Sequence, residues 1–262
     1  MLIFNADDYG LTLKDSERII ELSKYGIVKS TTIVSNIIDH KAIKGLDGCD
    51  LSTGVHINLV EGKPLTDANS IIDYNGNFLS KSELYKKIFI NKINYIDIEK
   101  EIYAQIENLI DNNIHISHID THQNTHILFP IQKIINQAAE KYKIKNLRGQ
   151  SSEYHWFENK YIPHNFYKYI LVNLWSTSVS NKIKYTKKII LNAPGLGLKI
   201  DSIEKAISLW EYAIKNKYNK VYIYEIPCHL CLSNFEYELY KSKDFLQTLI
   251  NCDITIGSYY DL

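Results

Sequence analysis

The sequence predicts an α/β fold in which mostly parallel strands close into a distorted (β/α) barrel. Short runs rich in β-branched residues alternate with segments of helical periodicity, a pattern that yields a parallel sheet with right-handed crossovers. Ligand-type polar residues recur just after those runs: Asp7 and Asp8, His56, the run His118 to His126, Arg148, Glu225 and His229. In a barrel all strand C-termini share one face, so segments far apart in the chain can meet there. A flat doubly wound sheet is the alternative, but no Gly-rich phosphate loop follows the first strand to support it.

The elements follow in chain order. Leu2 to Phe4 is a short apolar strand that stops at Asn5-Ala-Asp-Asp-Tyr-Gly10. Thr12 to Tyr25 is helical, with Ile19, Ile20 and Leu22 as its apolar stripe and Gly26 as its stop. Ser30 to Ser35 is a second strand, and Leu51 to Leu59 holds a third with His56 near its end. The turn-rich loop Glu61-Gly-Lys-Pro-Leu65 follows. Ser80 to Asn112 reads as two helices with a break near Asn94. Ile114 to Ile119 is a strand, and a helix from about Ile131 to Tyr142 follows Pro130. Ile144 to Leu147 is another strand, closed by Arg148-Gly149. Ser202 to Asn216 is an amphipathic helix, and Val221 to Glu225 a buried-type strand leading into Ile226-Pro-Cys-His-Leu-Cys231. A helix from Lys243 to Ile250 and a strand from Ile254 to Ile256 complete the pattern.

The 262 residues, 45% of them hydrophobic, are expected to form one domain over 1–262, with an irregular, aromatic-rich segment at about 150–200. The formal net charge of zero, from 30 basic and 30 acidic side chains, argues against nucleic acid or a membrane surface as partner. No apolar run is long enough to span a bilayer, and no secretory signal is visible at Met1. Cys49, Cys228, Cys231 and Cys252 are few and widely spaced, which implies no disulfide framework and a reducing, cytoplasmic setting.

The densest chemistry lies in His118-Ile-Asp-Thr-His-Gln-Asn-Thr-His126, with three histidines and an aspartate. If the strand continues, His118, Asp120 and His122 point to one side. Imidazole and carboxylate are the usual protein ligands of zinc-like ions. The alternative is a polar loop with exposed histidines.

Asn5-Ala-Asp-Asp-Tyr-Gly10, Gly54-Val-His-Ile-Asn-Leu59 with Glu61-Gly-Lys-Pro-Leu65, His118-Ile-Asp-Thr-His122, Cys228-His229 and the ending Ile256-Gly-Ser-Tyr-Tyr-Asp-Leu262 occur in an order that resembles the YdjC-like carbohydrate deacetylases. The resemblance spans nearly the whole chain. It implies a barrel-like α/β fold distantly similar to the NodB-type deacetylases. It also implies one divalent metal ion, Mg2+ or Zn2+, and removal of acetyl groups from small N-acetylated carbohydrates of the N-acetylglucosamine oligosaccharide type. A homodimer is compatible with it. Asp8, His56 and His122 would be the metal ligands, Asp7 the general base, with a helix or loop cap as its alternative, and His229 the general acid, with a structural histidine beside a buried strand as its alternative. Asp120 would orient a ligand imidazole, and His118 would do the same or pack. His126 would be an outer support or a sugar contact. Arg148 would resemble the arginine that steadies the catalytic acid in related deacetylases, or form a surface ion pair. Another metallohydrolase, a phosphoesterase or amidase, and a non-catalytic sugar- or metal-binding relative are the competing readings.

The chain departs from the family at two places. Asn124 stands where relatives often carry a histidine, and Leu230 where they usually carry a proline. Cys228 and Cys231 have the spacing of half a zinc site, but no second pair exists, so packing is their expected role. Trp156, Phe157, Tyr161 and Trp175 offer faces for a sugar ring, with core or dimer contacts as the alternative.

Overall fold

The computed structural model describes residues 1–152, 184–188, 202–218, 220–230 and 234–262. Trp156, Phe157, Tyr161, Trp175 and Cys231 lie outside the described residues. Eight strands are described: β1 (Leu2–Tyr9), β2 (Val28–Ile33), β3 (Ser52–Ile57), β4 (His118–Thr121), β5 (Asn146–Ser152), β6 (Lys184–Lys188), β7 (Tyr224–Cys228) and β8 (Ile256–Gly257). Strands β1 to β7 pair in chain order and β7 returns to β1, every pairing parallel. The sheet thus curls into the distorted (β/α) barrel that the alternation predicts. Short β8 joins at Leu2 and Ile3 of β1.

The described α-helices are α1 (Leu13–Ser23), α2 (His40–Gly45), α3 (Lys81–Phe89), α4 (Tyr95–Asp111), α5 (Phe129–Lys141), α6 (Ile203–Lys217), α7 (Asn234–Lys241) and α8 (Lys243–Asn251). Their starts are chemically marked. Thr12 caps α1 by accepting from Asp15 N–H, and Ser80 with Glu83 closes a reciprocal capping box on α3. The break expected near Asn94 falls where its side chain caps α4. Helices α2 and α7, six and eight residues long, are too short for periodicity to announce them.

Alternation along β1 divides the molecule into two kinds of interior. Leu2, Phe4 and Ala6 belong to the apolar core shared with the helices. The Phe4 ring meets Trp210 of α6, Tyr240 of α7 and Phe245 of α8 at centroid distances of 5.7, 5.5 and 6.2 Å. The alternate residues Asn5 and Asp7 are buried on the other side, among polar groups from β2, β4 and β5. That side carries the chemistry.

Strand β4 begins at His118, four residues later than the β-branched run implies. Asn113 turns the chain in the left-handed region at φ 60°, and Ile114 N–H is taken by Leu109 C=O at the end of α4. Pairing with β3 registers only from Ile119 against Val55.

Candidate active site

The end of β1 presents two adjacent carboxylates. Neighbours on a regular strand face opposite ways. Here Asp8 adopts φ 69°, and the β1–β2 register slips between Ala6 and Tyr9. This bulge lets Asp7 and Asp8 both line one cleft. A left-handed φ is uncommon outside glycine and best tolerated by Asp and Asn.

Three elements bring their side chains to Asp8. His56, from the end of β3, places Nε2 3.2 Å from Asp8 Oδ1. His122, just after β4, places Nδ1 2.9 Å from the same oxygen. All three residues are buried, and their candidate ligand atoms lie within 4.8 Å of one another. The outer nitrogens are also held. Asp120 Oδ1 lies 2.5 Å from His56 Nδ1, and Glu61 Oε2 lies 3.0 Å from His122 Nε2. Those contacts turn His56 Nε2 and His122 Nδ1 towards Asp8, the arrangement in which outer partners orient metal-binding imidazoles.

The electrostatics fit a cation. Asp7, Asp120 and Glu225, all buried, share one guanidinium, that of Arg148, while the buried Asp8 faces the two imidazoles. Burial disfavours a charged His56, yet Asp120 and Asp8 outweigh it and raise its pKa to about 10. Burial also works against ionised Asp8, but hydrogen bonds from His122 and His56 hold its carboxyl well below the usual range. One carboxylate and two imidazoles around a point of negative potential form a set that could hold a divalent ion with coordination positions to spare.

Asp7 sits beside this set. Arg148 Nη1 donates to Asp7 Oδ2 at 2.8 Å, and Nη2 to Oδ1. Despite burial, Arg148 keeps the Asp7 carboxyl well below the usual range. Arg148 also donates through Nε to Glu225 Oε1 at 2.6 Å and forms an ion pair with Asp120, Nη2 lying 2.6 Å from Oδ2. It is buried, so the surface ion pair is not what forms, and the acid it holds most closely is Asp7. His229, just after β7, places Nε2 3.6 Å from Asp7 Oδ2, and its backbone N–H donates to the buried Glu236 at 2.9 Å. Asp7, Arg148 and His229 line a cleft of about 450 Å3 together with Asp8, His56, His122 and Glu61.

These features sit in a chain whose sequence matches the YdjC-like protein family over residues 1–249. The chain belongs to that family. Among curated relatives, a carbohydrate deacetylase of Geobacillus stearothermophilus is 31% identical over 144 residues, covering 54% of this chain and 57% of that protein. Carbohydrate deacetylase 1 of Listeria innocua is 33% identical over 147 residues, covering 55% and 58%. The matched stretch is thus under two thirds of either relative. A solved structure from Enterococcus faecalis V583, described provisionally as a cellobiose-phosphate cleavage protein, superposes with a TM-score of 0.73 at 23% identity. It covers 99% of this chain and 97% of its own. That likeness shows a shared fold.

Two histidines of the His-rich run stand apart from the cleft. His118 is buried inside the barrel, stacked on Tyr259 and 3.1 Å from Asn5 Oδ1. His126 is buried with Nδ1 2.5 Å from Thr121 Oγ1 and lines a separate small cavity between β4 and α5. Asn124 occupies a left-handed position at φ 57°, directly after Gln123 at φ 52°. An asparagine tolerates that backbone, so the departure from histidine is compatible with the turn. Glu61 and Thr32 also belong to the site without having been singled out as site residues from sequence. Thr32 Oγ1 donates to Asp120 Oδ2 at 3.0 Å. Glu61 carries one usable signal, its place in the loop directly after the strand that bears His56.

Proposed function

We propose that this protein is a metal-dependent hydrolase that removes an acetyl group from an N-acetylated sugar of the N-acetylglucosamine oligosaccharide type. One observation carries the reading: Asp8, His56 and His122 converge beside an ionised Asp7 and a cleft-lining His229. The names of the curated relatives support the substrate class. A divalent ion held by Asp8, His56 and His122 would supply Lewis acidity, making a water more acidic and polarising the acetyl carbonyl.

The chain's own residues do the rest. Asp7, kept ionised by Arg148, takes a proton from the attacking water. His229 lies on the same carboxylate's Oδ2 side and gives a proton to the amine nitrogen as its bond to the acyl carbon breaks. Acetate and a free amino sugar leave. Two imidazoles among three ligands favour Zn2+ over Mg2+, which prefers all-oxygen shells. The sole Lys or Arg lining the cleft among the described residues is Arg148, committed to three carboxylates, which disfavours a phosphate ester as substrate.

The test is acetate release from N-acetylglucosamine oligomers by purified protein loaded with Zn2+ or Mg2+, with phosphate esters assayed in parallel. Acetate release supports the reading. Release of phosphate without acetate, or tight sugar binding with no turnover under either metal, overturns it.

A further inference from the structure

Asn5 shares its amide among Asp7, Thr32, Ser30 and His118. Its Nδ2 donates to Asp7 Oδ1 at 2.9 Å, which turns Oδ1 towards His118 Nε2, 3.1 Å away. An amide oxygen accepts, so His118 carries its proton on Nε2. Burial and the nearby Arg148 keep this imidazole neutral, its pKa well below the usual value. The other side of its ring lies flat on Tyr259, with centroids 3.6 Å apart and planes within 9°. Space for the ring comes from Gly54, where a Cβ would stand 2.5 Å from His118 Cε1. Tyr259 then sends its hydroxyl to Glu225 Oε2 at 2.7 Å. Glu225 holds Arg148 Nε, and Arg148 returns to Asp7.

We propose that Tyr259 is a positioning residue for the reaction, closing a ring of six buried side chains (Asp7, Arg148, Glu225, Tyr259, His118 and Asn5) that sets the orientation of the Asp7 carboxylate. Asp7 Oδ1 accepts from both Asn5 and Arg148, whereas Oδ2 accepts from Arg148 Nη1 and is the oxygen facing His229. The residues come from β1, β4, β5, β7 and the C-terminal turn, so no single strand could hold this geometry. The turn itself is fixed by a capping box between Ser258 and Asp261 and by Tyr259 N–H donating to Ser52 Oγ at 3.1 Å. This assignment rests on Asp7 acting as the base. It makes the last turn of the fold part of the catalytic apparatus.

Tyr259→Phe keeps the stacked ring and removes only the hydroxyl. Its kcat for acetate release is expected to fall about tenfold, with KM and the metal dissociation constant unchanged. Tyr259→Leu removes the stack as well and lowers kcat further. Tyr260→Phe, on the exposed side of the same turn, leaves kcat as in the wild type. A second readout needs no turnover: melting temperatures of Tyr259→Phe, Asp7→Asn and the double variant. The ring predicts that the loss in the double variant differs from the sum of the single losses. Additive losses, or a Tyr259→Phe enzyme with wild-type kcat, overturn the proposal. A wild-type protein that releases no acetate from any sugar overturns the deacetylase reading instead, and the melting cycle still decides on the ring.

Discussion

Arg148 holds Asp7 through both terminal nitrogens, and neither residue is more than 4% exposed. The same guanidinium serves Asp120 and Glu225, so it joins the candidate base to the residue that orients His56. Lysine keeps the charge but is a point donor on a flexible stem, unable to address three carboxylates in one plane. Arg148→Lys should therefore destabilise the fold by roughly 3–5 kcal/mol, the scale of a broken buried ion pair. Urea unfolding measures it, and a loss below about 1 kcal/mol would mean that the cluster tolerates a point charge.

Asp7→Asn retains the shape of the side chain and can still accept from Arg148, but it cannot take a proton. Loss of general-base assistance is expected to lower kcat by about 10²–10⁴. Metal affinity should change little if the ion sits on Asp8, His56 and His122, and should fall if it sits on the second group, Asp7, His56 and Asp120. Steady-state kinetics beside a metal titration separate the two effects, and full turnover would remove Asp7 from the base role.

The Asp120–His56 contact makes a separate prediction. Asp120→Asn no longer places a carboxylate against Nδ1, so metal affinity should weaken by about 10–100-fold. His122→Ala removes a ligand outright and should cost more. Competition with a chromogenic chelator reads both. Equal affinity for wild type and Asp120→Asn would show that His56 is oriented without it.

Glu236 gives a pH signature. Burial raises its pKa to about 7 from an ordinary 4.5, against the pull of the His229 N–H. The folded state therefore holds the proton more tightly than the unfolded chain. The stability this contributes is complete below the unfolded value and is lost as pH climbs through the folded one. Glu236→Gln, which can still accept from His229, lacks this loss. Its melting temperature should draw ahead of wild type between about pH 4.5 and 7, by an amount worth up to roughly 3 kcal/mol. Parallel melting curves across that range would show that the carboxyl ionises freely in the fold.

Much of this arrangement is written locally. Thr12, Ser80 and Asn94 mark helix starts by hydrogen bonds to residues two or three positions away, and such contacts follow from residue type and spacing. Strand–helix alternation implies parallel order, and parallel order places strand ends on one face, so Asp8, His56 and His122 could be expected together. The His118 to His126 run is harder to read. Period two puts His118 and Asp120 on one face correctly, but it cannot say that His118 meets a tyrosine ring from the final turn.

Residue type and spacing by themselves determined the sort of fold, the family motifs and the stock of candidate ligands, because these depend on short-range periodicity and chemical identity. Only the tertiary structure decided that Asp8 joins Asp7 in one cleft through a left-handed bulge, that Arg148 is buried among three acids, that Glu61 meets His122 and that Tyr259 meets His118 and Glu225. Each of those outcomes depends on which strands become neighbours and at what register. That is settled by the closure of the whole barrel, where burying a charge is tolerated only if distant segments bring its partners to it.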